Sequence, residues 1–171
     1  MKKILVTGGC GYIGVHTIVD LIQNNYDVVS IDNNSRSHAG ILKSVKEITG
    51  KTVQNYQVDL CDFEKTHQVF VDHKDITGII HFAAYKAVGE SVEQPLLYYQ
   101  NDLSSLVNIL RCTKEFNIPY FVFSSSCTVY GNPDAIPVTE ATPQKPAESP
   151  YGATKQMGEV IVTDASKGSG L

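Results

Sequence analysis

A chain of 171 residues has room for one substantial core, so a single domain is expected over residues 1–171. Its formal charge is −4 and its 14 basic residues are dispersed without a run, which argues against a nucleic-acid surface. No apolar run approaches the ~20 residues of a membrane-spanning helix, so no membrane partner is expected.

In chain order, a short apolar run over residues 2–6 ends at glycine and reads as a buried strand. Residues 12–23 have a helical pattern with one apolar side, and residues 27–31 form a second strand closed by Asp32, Asn33 and Asn34. Residues 40–48 read as helix and residues 53–58 as a third strand. Asp62 is placed to cap a helix reaching about Val71, since a carboxylate accepts bonds from free first-turn amides. A fourth strand is expected over residues 78–82. A long helix follows from Pro95 to about Phe116, with proline where a missing N–H costs little. Residues 120–123 give the fifth strand, the Pro-rich stretch 132–150 an irregular loop, and Pro150 opens a last helix towards Asp164. Strand and helix alternate throughout, which implies right-handed crossovers and a parallel sheet covered on both faces. The expected fold is a Rossmann-type doubly wound α/β sheet of order 3-2-1-4-5.

Lys2 and Lys3 precede only three apolar residues before Thr7 and glycine, too short for a secretory apolar region. Cys10, Cys61, Cys112 and Cys127 show no paired spacing and no His at metal-ligand spacing. Reduced thiols in a cytoplasmic protein without a metal site are therefore expected.

The chemistry concentrates in four places. Gly8, Gly11 and Gly14 lie between a strand and a helix, where glycines permit a tight turn, close approach to a pyrophosphate, and packing of helix on strand. The helix's free amides would face the phosphates. A plain turn can show the same triplet, but the preceding apolar strand favours a dinucleotide. Asp32 ends the second strand, where a carboxylate can hold both adenosine ribose hydroxyls and repel a 2′-phosphate, favouring NAD over NADP. Arg36 nearby tempers that preference, and a simple turn with Asn33 is the alternative. Asp59 closes the third strand similarly and either reaches the adenine edge or serves its own turn.

Tyr151 and Lys155 stand four apart, on one face of the last helix. A tyrosine acting as base near neutrality needs its pKa lowered by about three units, roughly 4 kcal/mol. A neighbouring ammonium and a cationic nicotinamide would supply that. Chance spacing on an exposed helix is the competing explanation; the dinucleotide context favours catalysis. Ser124, Ser125 and Ser126 lie at the carboxyl end of the fifth strand, beside the ligand crevice of such a sheet, and a hydroxyl there can bond a substrate oxygen. A serine-rich loop without a role is the alternative. His81 and His16 read as satisfied structural histidines, and His38, His67 and His73 as solvated.

The chain resembles the extended short-chain dehydrogenase/reductase superfamily and, within it, the UDP-glucose 4-epimerase (UDP-galactose 4-epimerase) family of galactose metabolism. The matching segments are residues 6–14, 32–33, 81–83, 86–91, 124–126, 128–131 and 150–152. The glycine motif and Tyr-x-x-x-Lys mark only the superfamily; residues 86–91 and the triple serine are more specific. The resemblance spans the whole chain but only the amino-terminal half of a family member, so the carboxy-terminal UDP-sugar domain is expected to be absent.

The resemblance implies an isomerase. Tyr151 would take the proton of the sugar 4-hydroxyl, with Ser126 bonding the same oxygen, while hydride passes to NAD and returns to the opposite face of the 4-keto sugar. Lys155 would hold the nicotinamide ribose and lower the tyrosine's pKa. Tyr12, Ile13, Asp32, Asn33 and Ser37 would surround the adenosine and phosphate end. Asp59 and Leu60 would flank adenine, and Phe82, Ala83, Ala84, Lys86 and Asn101 would line the rest. UDP-glucose and UDP-galactose are the implied substrates, and a homodimer through the helices starting near Pro95 and Pro150 the implied assembly.

Four positions depart from the family pattern: Ala84 and Ser105 where glycine is usual, Tyr85 where an apolar residue is, and Cys127 where alanine is. Two other readings compete. A nucleotide-sugar 4,6-dehydratase would carry carboxylates after strand five, where this chain has Cys127 and Thr128. A non-catalytic NAD-binding module is the reading from another class, since without a UDP-sugar domain the isolated chain is expected to be nearly inactive.

Overall fold

The computed structural model describes residues 2–169. Strands β1 (Lys3–Thr7), β2 (Asp27–Ile31), β3 (Gln54–Tyr56), β4 (Ile76–His81) and β5 (Tyr120–Phe123) form one parallel sheet in the order β3-β2-β1-β4-β5. The doubly wound expectation holds. Among the described residues, helices α1 (Tyr12–Gln23), α2 (Ile41–Thr49), α3 (Phe63–Asp72), α4 (Val88–Glu93) and α5 (Pro95–Glu115) connect them, and α6 (Pro150–Ser169) follows the last strand.

Alternation along the strands sorts the core into two layers. Leu5, Val29, Ile31 and Ile79 point to one face, against Val69 and Phe70 of α3 and Ile109 and Cys112 of α5. Ile4, Val6 and Val28 point to the other, against Val15, Ile18 and Ile22 of α1 and Val45 of α2. Each such fully buried aliphatic or aromatic side chain contributes about 1.5–3 kcal/mol, so the sheet centre is the rigid platform from which the loops project.

The register aligns the carboxyl ends. Thr7 of β1 lies opposite Ile31 of β2 and His81 of β4, and His81 lies opposite Phe123 of β5. Every loop expected to bind or react therefore leaves the sheet at one edge. Asp62 caps α3 by accepting from the Lys65 amide at 3.2 Å, and Pro95 opens α5, both as expected.

The boundaries differ in places. β3 is only three residues, because beyond Tyr56 the chain turns on a Val58 N–H to Tyr56 carbonyl bond of 2.9 Å. β4 begins two residues earlier than expected, at Ile76. Helix α4 and a 3-10 turn over Cys127–Tyr130 were not anticipated; at six and four residues they are too short to show a period. The last helix continues past Asp164 to Ser169. His67 and His73 are half-buried rather than solvated: His67 Nε2 lies 2.7 Å from Glu115 Oε1, and His73 Nε2 lies 3.0 Å from the Tyr56 hydroxyl.

Candidate active site

The turn after β1 is held by a Gly8 N–H to Ile31 carbonyl bond of 2.8 Å and a Gly11 N–H to Gly8 carbonyl bond of 3.0 Å. Gly8 has φ +68°, and a Cβ there would stand 2.9 Å from the Ala83 amide nitrogen. A Cβ on Gly14 would overlap the Gly8 carbonyl oxygen. The glycines thus bring the start of α1 onto the loop and the loop onto β4. The Gly11 N-cap offers no side chain to the first turn, and that turn carries no acidic residue. Its free amides and the positive end of the helix dipole border a cavity and suit a pyrophosphate.

That cavity, about 590 Å³, runs along the carboxyl edge of the sheet from the glycine loop to α6. Gly8, Gly11, Tyr12, Ile13, Gly14, Asp32, Asn33, Ser37, Asp59, Leu60, Phe82, Ala83, Ala84, Lys86, Asn101, Ser126, Tyr151 and Lys155 all line it. Every residue expected from the sequence to bind the cofactor or take part in the chemistry therefore stands on one wall system, drawn from five loops and three helices.

Asp32 is fastened to its surroundings. Its carboxylate accepts from the Cys10 amide at 3.0 Å, the Asn34 amide at 2.9 Å and the Ser37 hydroxyl at 2.7 Å. A ribose hydroxyl meeting it finds an acceptor already oriented. Asp59 accepts from the Cys61 amide at 2.9 Å, so its turn role is realised while it still lines the cavity.

The three serines separate by their bonds. The Ser124 carbonyl accepts from Lys155 Nζ at 2.9 Å, and the Ser125 hydroxyl donates to Glu159. Ser126 Oγ accepts twice, from the Thr128 amide at 3.3 Å and the Thr128 hydroxyl at 3.0 Å, which leaves its own O–H to donate into the cavity. Lys155 is buried, and its Nζ lies 5.9 Å from the Tyr151 ring centroid and 4.9 Å from that of Phe123. Burial pushes the Lys155 pKa below its ordinary value, opposed by the charge of Asp102. His81, fully buried, bonds the Thr7 hydroxyl through Nδ1 at 2.8 Å and stays neutral: burial, with Lys155 nearby, lowers its pKa to about 3.

Asp102 was missed in the sequence. Its buried carboxylate accepts from the Tyr85 amide and the Asn101 side-chain amide, each at 2.8 Å, and from the Thr154 hydroxyl at 3.2 Å. It ties the segment after β4, helix α5 and helix α6 together behind Lys155. Burial raises its pKa. The signal was available: Tyr98, Asp102, Ser105, Leu106 and Ile109 make one buried stripe of α5, and a carboxylate on such a stripe needs partners.

A family model described as GDP-mannose 4,6 dehydratase matches residues 5–171. The chain belongs to that family. Within the GDP-mannose 4,6 dehydratase family, its similar relatives carry a different activity in their names. It is 46% identical over 168 residues to the UDP-glucose 4-epimerase of Schizosaccharomyces pombe, covering 96% of this chain and 47% of that protein. It is 48% identical over 161 residues to the UDP-glucose 4-epimerase of Bacillus subtilis, covering 94% and 47% respectively. The crystal structure of the Bifidobacterium longum UDP-glucose 4-epimerase in complex with NAD+ and UDP superposes with a TM-score of 0.94 at 43% identity, over 97% of this chain and 49% of that one. The chain spans about half the length of the curated relatives it matches.

Proposed function

We propose that residues 1–171 are the NAD-binding and proton-transferring half of a UDP-glucose/UDP-galactose 4-epimerase. The observation that carries this reading is the continuous cavity joining the uncapped α1 N-terminus to Ser126, Tyr151 and Lys155. Its volume, about 590 Å³, lies within the usual range for cofactor sites, and its glycine floor admits backbone contact that a Cβ would block.

NAD bound there would supply the hydride acceptor and donor for sugar carbon 4. The chain's own residues do the rest. The first-turn amides of α1 hold the pyrophosphate, and Asp32 with Ser37 holds the adenosine ribose. Tyr151 takes the proton of the sugar 4-hydroxyl and later returns it, and the free O–H of Ser126 donates to the same oxygen. The Lys155 ammonium, desolvated beside the phenol, stabilises the phenolate more strongly than a solvated one would. NAD in the Bifidobacterium longum structure supports the cofactor reading, and the UDP in that structure supports the substrate class.

The family description names a dehydratase, which would also need an acid and a base to remove water. The turn that follows β5 offers Cys127, Thr128, Val129 and Tyr130, with no carboxylate. Epimerisation is therefore preferred. A homodimer through α5 and α6 is supported by exposed Leu96 and Val107 on α5 and Met157 and Val160 on α6, two helices that pack side by side.

The test is epimerisation of UDP-galactose, followed by sugar NMR, in a protein carrying these residues at the full length of the relatives. Tyr151→Phe there should keep NAD binding and lower turnover by about 10²–10⁴-fold, the weight of general acid–base catalysis. Unchanged turnover would remove Tyr151 from the mechanism. The 171-residue chain alone is expected to bind NAD and turn over very slowly, since sugar orientation is worth about 7–11 kcal/mol.

A further inference from the structure

Arg36 is a basic side chain rooted beside the expected ribose site: Ser37, next in the chain, bonds Asp32 at 2.7 Å. An arginine at this point of a dinucleotide fold is the group that would accept a 2′-phosphate. Here it is committed elsewhere. Its Nη2 lies 2.7 Å from Glu90 Oε1 on α4, and its guanidinium stacks on the Tyr85 ring with Cζ 4.6 Å from the centroid. The second Glu90 oxygen accepts from the buried Tyr98 hydroxyl at 2.7 Å, and that hydroxyl in turn accepts from the Ala87 amide at 3.1 Å. Glu90 is thus fixed from behind, and Tyr85 is fixed through its amide on Asp102.

We propose that Glu90, with Tyr85, sets the cofactor preference by holding Arg36 away from the ribose 2′-position, making Glu90 a specificity-determining residue at one remove from the cofactor. The proposal rests on the NAD reading above. Asp32 alone repels a 2′-phosphate; an unpaired Arg36 four residues later would offset that repulsion. The Glu90 carboxylate removes the offset by neutralising and anchoring the guanidinium, and the Tyr85 face supplies a flat support for it.

Glu90→Gln keeps the shape and the bond to Tyr98 but removes the charge that holds Arg36. Calorimetric titrations of NAD+ and NADP+ into the wild-type chain, E90Q and the double variant R36A/E90Q test the idea. The expected result is a rise of about tenfold or more in the NADP+/NAD+ affinity ratio for E90Q, the weight of one charge-assisted hydrogen bond. That gain should vanish in R36A/E90Q. An unchanged ratio in E90Q, or an equal gain in the double variant, overturns the proposal while wild-type NAD+ binding leaves the cofactor reading standing. Failure of the wild-type chain to bind NAD+ overturns both.

Discussion

Gly14→Ala and Gly89→Ala make the same chemical change in two helices and are expected to have opposite signs. Helix propensity favours alanine by about 1 kcal/mol. At Gly89 a Cβ meets nothing within 4 Å, so the gain stands alone and stability should rise by a few tenths to about 1 kcal/mol. At Gly14 the new carbon overlaps the Gly8 carbonyl oxygen and sits 2.8 Å from Gly9 Cα and 3.0 Å from the Gly8 carbonyl carbon. These are backbone atoms of a loop pinned to Ile31 at 2.8 Å, so no side chain can rotate aside. Overpacking of this kind costs up to about 3 kcal/mol, which outweighs the propensity gain and leaves a net loss of about 1–2 kcal/mol. At about 3 °C per kcal/mol for a chain of this size, Gly14→Ala should lower Tm by about 3–6 °C. Gly89→Ala should raise it by about 1–3 °C. NAD affinity should fall about tenfold or more in Gly14→Ala, because relieving the overlap moves the amides that face the pyrophosphate, and stay unchanged in Gly89→Ala. Thermal melts by circular dichroism with calorimetric NAD titrations read both. A Gly14→Ala chain melting at or above wild type with unaltered NAD affinity would refute the packing argument.

Asp102→Ala strands the Tyr85 amide and the Asn101 side-chain amide, each now short of an acceptor in a half-buried setting, while Thr154 keeps the Tyr151 carbonyl at 2.7 Å; a loss of about 2–5 kcal/mol in urea denaturation is expected. A loss below half a kcal/mol, roughly the surface-substitution level, would mean the carboxylate holds nothing. His81 has a folded pKa of about 3 against an ordinary 6.5, so its contribution is complete above pH 6.5 and declines as pH falls towards 3. The slope is at most about 1.4 kcal/mol per pH unit, and His81→Gln should flatten it in melts between those limits; an identical acid limb would contradict the burial argument. Val160→Asp should shift sedimentation from dimer to monomer, and a wild-type chain already monomeric at high concentration would contradict assembly through α5 and α6.

The sequence was most legible where one physical demand falls on one residue. Gly8 and Gly14 announce close backbone approach, Asp62 a cap and Pro95 a helix start, and all four do what their chemistry requires. The parallel sheet followed from alternation, and its order from the Rossmann-type arrangement. Contacts between distant segments were not legible. Nothing local says that Asp102 will meet Thr154 fifty-two positions on, that Glu90 will take Arg36, or which of three adjacent serines keeps a free hydroxyl. Helix α4 and the turn at Cys127 are set by what packs around them, so no periodicity could show them.

The most direct test is a crystal structure of the chain grown with NAD. The pyrophosphate is expected on the first-turn amides of α1, the adenosine ribose on Asp32, and the nicotinamide between Ser124 and Tyr151, with Lys155 Nζ on its ribose. NAD found reversed or outside this cavity, or no binding at saturating NAD, would contradict the account.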